Sequence, residues 1–275
     1  MATPSVPAMS SWCLNKMLDA VKSECPLCGG TGWRIIERGG ISAADRCECA
    51  GRDRTRRLLE NAGIPENYRA ASIDSFRLPE DNPIARSGLA SVMTQVRAFV
   101  REFPVLDKPG LLFIGNPGTG KTHLAVAALR GLIAKGFEGI FFDYQNLLEM
   151  IRSGYNETSG ATEREAYRAA LDAEILLLDD LGAHRVTDWV EDTVTSIITY
   201  RCNNRKPLIA TTNLGDPDAG DKRSYGLEAD IKSKQLLAER IGMRARSRLF
   251  EMCRVIQMPT IEDYRIRTRK TLGAS

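Results

Sequence analysis

The stretch GLLFIGNPGTGKTHLAVAALRGLIA, residues 110–134, decides the fold. Gly110–Ile114 is a short apolar run of strand type, and His123–Ala134 has the pattern of an apolar helix. Between them stands Gly115-Asn116-Pro117-Gly118-Thr119-Gly120-Lys121-Thr122, the spacing G-x-x-x-x-G-K-T flanked by strand and helix as that motif requires. The glycines let successive N–H groups point inward around phosphate oxygens, and the following helix adds its positive end. Lys121 is placed to neutralise charge between two phosphates, Thr122 to hold Mg²⁺, and His123 opens the helix beside them. The expected ligand is a phosphate chain with a γ-phosphate.

Downstream the pattern stays α/β. A strand at Gly139–Asp143 leads to a helix at Gln145–Arg152, a polar loop over Ser153–Thr162 and a helix at Glu163–Leu171. Ile175-Leu-Leu-Leu-Asp179-Asp180 then reads as a buried parallel strand delivering two acids at its C-terminal end, 57 residues after Thr122. Asp179 is expected to orient the Mg²⁺ shell, and Asp180 to orient or deprotonate the attacking water. A helix over Trp189–Asn203 precedes another buried strand, Pro207–Asn213. Its terminal Asn213 can place an amide beside the γ-phosphate and the water. Upstream, Ile84–Phe103 has helical periodicity, and Leu78–Pro83 reads as a linker.

The N-terminal region has a different chemistry. Cys25-Pro-Leu-Cys28 is followed after eighteen residues by Cys47-Glu-Cys49. Four thiolates suit tetrahedral Zn²⁺, and a complete shell of four leaves no open position, so the site reads as structural. The alternative is four free thiols. Trp33, Ile35 and Ile36 form a short strand between the pairs, with helices expected over Ser10–Val21 and Gly51–Asn61, the latter basic. Cys202 and Cys253 lie in apolar segments and read as small core residues, and Cys13 as structural or free.

Composition excludes several classes. Hydrophobic residues at 43% and charged residues at 27% exclude a mostly disordered chain, a collagen and a coiled-coil rod. No apolar run approaches the roughly 20 residues of a membrane span. The N-terminus lacks a basic segment followed by an apolar one, so the chain is expected in the cytosol, with no membrane partner. Residues 232–275 carry eleven Lys/Arg against four acids, although the whole chain is only +3. That asymmetry is compatible with phosphate partners, although charge alone favours a solvated basic tail.

Together these segments resemble the AAA+ ATPases, and within them the DnaC/DnaI-type replicative helicase loaders of the IstB-like superfamily. The resemblance is carried by GNPGTGKTHLA (115–125), ILLLDDLGAHR (175–185), WVEDTVTSIITYRCNNRKP (189–207), LIATTNL (208–214), ERIGMRARSRLFEMC (239–253) and EDYR (262–265). CPLCGGTGW and RCECAGRDR resemble the zinc-bearing N-terminal region of the loaders less specifically. The resemblance implies an α/β P-loop NTPase core with a parallel five-stranded sheet flanked by helices and a minimal lid. It implies a helicase-binding, zinc-bearing region over 1–76, a linker at 77–83, the ATPase domain at 84–270 and a tail at 271–275.

Arg248 matches the family's arginine finger, acting in trans on a neighbour's ATP, with Arg244 and Arg246 leaving the register open. Arg265 matches the second sensor. Asp179-Asp180 departs from the usual Asp-Glu, which puts fast hydrolysis in question. The segment Gln145–Leu171 occupies the place of a helical insert that lines a single-strand path in related initiators. Arg152, Arg164 and Arg168 could contact phosphates there, or simply be solvated. The implied partners are a hexameric replicative helicase, single-stranded DNA and further copies of the chain. An IstB-type transposition helper shares the core, but those helpers usually begin without the cysteine pairs. A zinc-organised adaptor with the ATPase as a timer is the third reading.

Overall fold

The computed structural model describes residues 25–29, 31–38, 41–153, 160–219, 236–261 and 263–264. The expected helix over Ser10–Val21 lies outside them. The chain divides into two compact units, Met1–Arg56 and Arg57–Ser275.

In the small unit, β1 (Trp33–Arg38) and β2 (Ile41–Arg46) form an antiparallel hairpin with Trp33 opposite Arg46. The expected single strand is thus a hairpin. Helix α1 (Glu48–Asn61) starts three residues earlier than the sequence pattern indicates, so Cys49 lies in its first turn. A helical Cβ points back toward the helix N-terminus, which aims Cys49 at the loop carrying Cys47.

The large unit is built on a five-stranded, wholly parallel sheet. Its strands are β3 (Gly110–Ile114), β4 (Gly139–Asp143), β5 (Ile175–Asp179), β6 (Leu208–Thr212) and β7 (Cys253–Gln257). Their spatial order is β4-β5-β6-β3-β7. Burial on both faces explains the unbroken apolar runs. Leu111 and Phe113 of β3, with Ile175 and Leu177 of β5, belong to the core on one face. Leu112, Ile114, Leu176 and Leu178 belong to the core on the other. The period of two distributes one continuous run between two layers.

The first core layer is closed by α2 (Pro83–Glu102) and α3 (Lys121–Ala134). Pro83 opens α2, and Asn82 caps it by accepting the Ala85 N–H at 3.0 Å. Leu58 near the end of α1 and residues after that helix pack on this same layer, among them Tyr68, Ile73, Phe76 and Leu78. The second layer is closed by α4 (Tyr144–Ser153), α5 (Gly160–Asp172), α6 (Asp188–Asn203), α7 (Leu237–Ile241) and α8 (Met243–Met252). Of the expected Ser153–Thr162 loop, the first residue still belongs to α4 and the last three to α5.

A buried arginine ties elements of this second layer together. Arg201 is fully buried, and its guanidinium donates to the carbonyls of Ala170 (2.9 Å), Ala173 (3.1 Å) and Pro207 (2.6 Å). Helices end with unpaired carbonyls and a negative dipole, so a cation belongs at the end of α5. Burial pulls the Arg201 guanidinium down to about 10, so it stays protonated at neutral pH.

Candidate functional site

The C-terminal edge of the sheet opens into a cleft of about 600 Å³. Its floor is the loop between β3 and α3. Gly118 and Gly120 have φ of +72° and +90°, in the left-handed region that side chains resist. Each is also crowded: a Cβ at Gly118 would strike the Asp263 carboxylate, and one at Gly120 the Phe76 ring. Gly120 leads directly into α3, whose first-turn N–H groups have no carbonyl of their own helix to bond. Lys121 is 6% exposed, and its Nζ donates to the Asn116 carbonyl (2.8 Å) and to Asn213 Oδ1 (2.6 Å).

The two acids at the end of β5 are held differently. Thr122 Oγ1 donates to Asp179 at 2.9 Å, and Thr211 Oγ1 donates to the same carboxylate at 2.6 Å. Burial pushes the Asp179 carboxyl above its ordinary range; these two hydroxyls oppose the rise, and the Asp180 and Asp143 carboxylates add to it. Asp180 has φ +56°, a conformation that Asp tolerates better than most residues. Its N–H donates to Thr211 Oγ1 at 3.0 Å, and its Oδ1 accepts from Asn213 Nδ2 at 2.6 Å. Lys121, Asn213 and Asp180 are therefore one hydrogen-bonded chain across the cleft, and Thr122, Asp179 and Thr211 are a second.

Several lining residues were not singled out by sequence reasoning. Thr211 is one, hidden inside an apolar strand. Asp143 is another; it stands opposite Asp179 in register and lines the same cleft. The segment before α2 supplies Asn67, Tyr68, Ser75, Phe76, Arg77 and Pro79. Helix α3 holds this segment itself: His123 Nε2 lies 2.9 Å from the Ser72 carbonyl and 3.2 Å from Ser75 Oγ, and Arg130 donates to the Ala71 carbonyl at 2.5 Å. Phe76 meets the His123 ring edge-on at 5.4 Å. At the other end of the chain the Tyr264 N–H donates to the Gly118 carbonyl. Arg265 follows immediately and lies outside the described residues.

The remaining arginines lie away from the cleft. Arg248, on α8, is 45% exposed and paired with Glu251 at 2.7 Å. Arg244 is exposed one turn earlier on the same helix. Arg246 is committed to Asp216 and Asp218. Arg152 and Arg168 are exposed on α4 and α5, two helices that pack on each other. Arg164 lies in α5, and its side chain is outside the described ones.

In the small unit, the four sulfurs of Cys25, Cys28, Cys47 and Cys49 all lie within 4.8 Å of one another. Cys25 and Cys47 approach to 3.8 Å and Cys28 and Cys49 to 3.3 Å. Sulfurs placed tetrahedrally about 2.3 Å from one Zn²⁺ are about 3.8 Å apart, so the donor set fits. The Gly32 N–H points at Cys28 Sγ (3.3 Å), a contact that supports a thiolate.

No helix among the described residues is long and apolar enough to cross a membrane. A family model described as IstB-like ATP binding protein matches residues 85–218. The chain is similar to a solved structure of the DnaC helicase loader: 32% identity, TM-score 0.56, over 71% of this chain and 100% of that one. It is 25% identical over 209 residues to the phage-like element PBSX protein XkdC of Bacillus subtilis (strain 168), covering 71% of this chain and 74% of that protein. It is 22% identical over 158 residues to the replicative helicase loader DnaC of Escherichia coli (strain K12), covering 58% of this chain and 61% of that protein. A glycine-rich loop, an acid pair and a polar strand end, in this order on this sheet, agree with those matches: the chain belongs to the DnaC-type, IstB-like family of AAA+ ATPases.

Proposed function

We propose that the protein is an ATP-switched loader of a replicative DNA helicase, hydrolysing ATP to ADP and phosphate as its assembly and release step. The observation that carries the chemistry is the pair of hydrogen-bonded chains across the cleft, Lys121–Asn213–Asp180 and Thr122–Asp179–Thr211. The loader role is supported by the names of the relatives, of which the match to the E. coli protein spans less than two thirds.

The geometry supports these roles. The N–H groups of 118–120 and the start of α3 cradle the phosphates, and Lys121 exchanges its Asn213 and Asn116 partners for β- and γ-oxygens. Thr122 and Asp179 would hold Mg²⁺, which supplies charge compensation on the phosphate oxygens. Asp180 orients the attacking water and accepts its proton. Asn213, already bonded to Asp180, reads the γ-phosphate by the loss or retention of that oxygen as a partner. Arg248 lies outside its own cleft and is exposed, as a residue serving a neighbouring copy must be. Arg265 adds a cation from the segment that touches Gly118. Cys25, Cys28, Cys47 and Cys49 would hold Zn²⁺ as the organiser of the helicase-binding unit. Arg152, Arg164 and Arg168 grip single-stranded DNA.

The test uses purified protein and the replicative hexamer from the same genome. Lys121→Ala should weaken nucleotide binding. Asp180→Asn should bind ATP, turn over little, and remain on the helicase after ATP addition while the wild type leaves. A wild type that hydrolyses ATP but never associates with the hexamer would remove the loader reading and leave the ATPase. The IstB-like description of the matching model keeps one second reading, a transposition helper that recruits a transposase. Association with a transposase in place of the hexamer would establish it.

A further inference from the structure

We propose that Arg246 is a positioning residue that ties the finger Arg248 to the state of the chain's own nucleotide site, through an ion pair with Asp216. The proposal rests on the reading of Asn213 as the γ-phosphate sensor and Arg248 as the trans-acting finger.

The connection is short at both ends. Asn213 leaves the end of β6, and Asp216 follows three residues later with a fully buried carboxylate. Arg246 Nε donates to Asp216 Oδ2 at 2.7 Å and Nη2 to Oδ1 at 2.6 Å, a two-pronged contact. The same Nη2 reaches Asp218 at 2.6 Å, and the guanidinium lies 4.5 Å from the centre of the Phe250 ring. Paired planes of this kind resist rotation as well as separation. Because the carboxylate is buried, opening the pair would strand a charge away from water, so the contact moves as a unit instead of breaking. The Leu237 N–H also donates to the Gly215 carbonyl, fastening the same turn to the start of α7.

On the helix side, Arg248 is two residues beyond Arg246 on α8, about 3 Å along the axis. Leu249 and Ala245 on the same helix are fully buried, so the helix responds as a body. A displacement of the turn after Asn213 therefore reaches Arg248 without passing through any flexible link. Neither Arg246 nor Asp216 lines the cleft. The pair stands between the site that senses ATP in one copy and the residue that serves the next copy.

Mixing experiments separate this from a purely structural role. Arg246→Met keeps the apolar stem on Phe250 and removes the fork. Alone, it should bind ATP within about twofold of wild type but hydrolyse about tenfold more slowly, because every interface lacks a placed finger. Mixed with Lys121→Ala, which has an intact finger, it should recover activity as an acceptor. The double variant Arg246→Met/Lys121→Ala, offered as the finger donor to Arg248→Ala, should restore little, whereas Lys121→Ala restores activity to the same acceptor. Arg246→Lys, with charge but no fork, should fall between.

Should Arg246→Met prove unstable, Arg246→Met/Asp216→Leu removes both charges together, a change that is often neutral for folding. Its donor defect should persist when Lys121→Ala is added. A donor lacking Arg246 that restores as much activity as Lys121→Ala overturns the proposal. So does a loss of ATP affinity as large as the loss of turnover. If Lys121→Ala and Arg248→Ala fail to complement each other, the finger reading itself falls, and the proposal with it.

Discussion

Thr211→Val tests whether one hydroxyl inside an apolar strand organises both acids of the cleft. Valine has nearly the same shape and the same stiff χ1, so strand β6 should be undisturbed. Two hydrogen bonds vanish: the donation to Asp179 at 2.6 Å and the acceptance from the Asp180 N–H at 3.0 Å. A bond to a charged group contributes about 1.5–3 kcal/mol, and an N–H left without a partner costs about 1–3 kcal/mol. Asp179 keeps Thr122, which places the total toward the lower sums, about 3 kcal/mol. For a domain of this size about 2–4 °C accompanies each kcal/mol, so the nucleotide-free protein should melt roughly 6–12 °C lower.

Turnover should fall as well. Asp180 sits at φ +56° with Thr211 on its N–H and Asn213 on its carboxylate, and loss of the first lets the side chain leave the line of attack. If about half of the lost energy is felt in the transition state, phosphate release slows about tenfold. Thr211→Ser should restore both quantities. Scanning calorimetry and a phosphate-release assay on the three proteins suffice. A Thr211→Val protein that melts within about 2 °C of wild type and hydrolyses ATP at the same rate would refute the assignment.

Asp179→Asn works through pH. Burial raises this carboxyl, so its contribution to stability is favourable below the ordinary carboxylate range and is lost as pH rises through the raised value. At pH 7 without nucleotide the asparagine variant should therefore melt above wild type, the gap closing on acidification, while stabilisation by Mg²⁺ and ATP disappears; melting curves against pH decide it, and a gap independent of pH would contradict the argument. Metal analysis should find one zinc per chain, lost in Cys25→Ser/Cys47→Ser with the ATPase unit still folded, and affinity should fall in acid because thiols must ionise to bind. Unchanged metal content in that double variant would exclude the site. Arg201→Met strips the cation from the carbonyls of Ala170, Ala173 and Pro207 and should destabilise by about 3 kcal/mol or more in denaturant titration. Arg201→Lys should not rescue it, since one ammonium lacks the planar fork that serves carbonyls from two elements.

Local signals were enough for much of this protein. The cradle Gly115–Thr122, the acids Asp179 and Asp180 and the strand end at Asn213 are legible because each is a short motif attached to an unbroken apolar run. A run buried on both faces cannot be written any other way. The cysteines are legible for a similar reason: two close pairs of thiols need no distant partner to declare themselves.

Other features depend on contacts between segments far apart in the chain. Strand β7, CRVIQ, is short and mixed in character, and only its place beside β3 makes it a strand. Thr211 looks like one more strand residue until β5 is laid alongside β6. Phe76 and its neighbours acquire a role because His123 and Arg130, 48 and 59 residues from their respective partners Ser75 and Ala71, hold that segment over the cradle. The same is true of Arg244, Arg246 and Arg248, which are equivalent as letters in a basic stretch. Folding commits Arg246 to the buried Asp216 thirty residues away and leaves Arg248 facing outward. Spacing along the chain announced the candidate chemistry, because a glycine-rich phosphate loop and a close pair of thiols are each written in a few neighbouring residues. Which of these arginines is tied to a buried carboxylate was decided by tertiary structure, because a charge is immobilised only by the partner that burial brings to it.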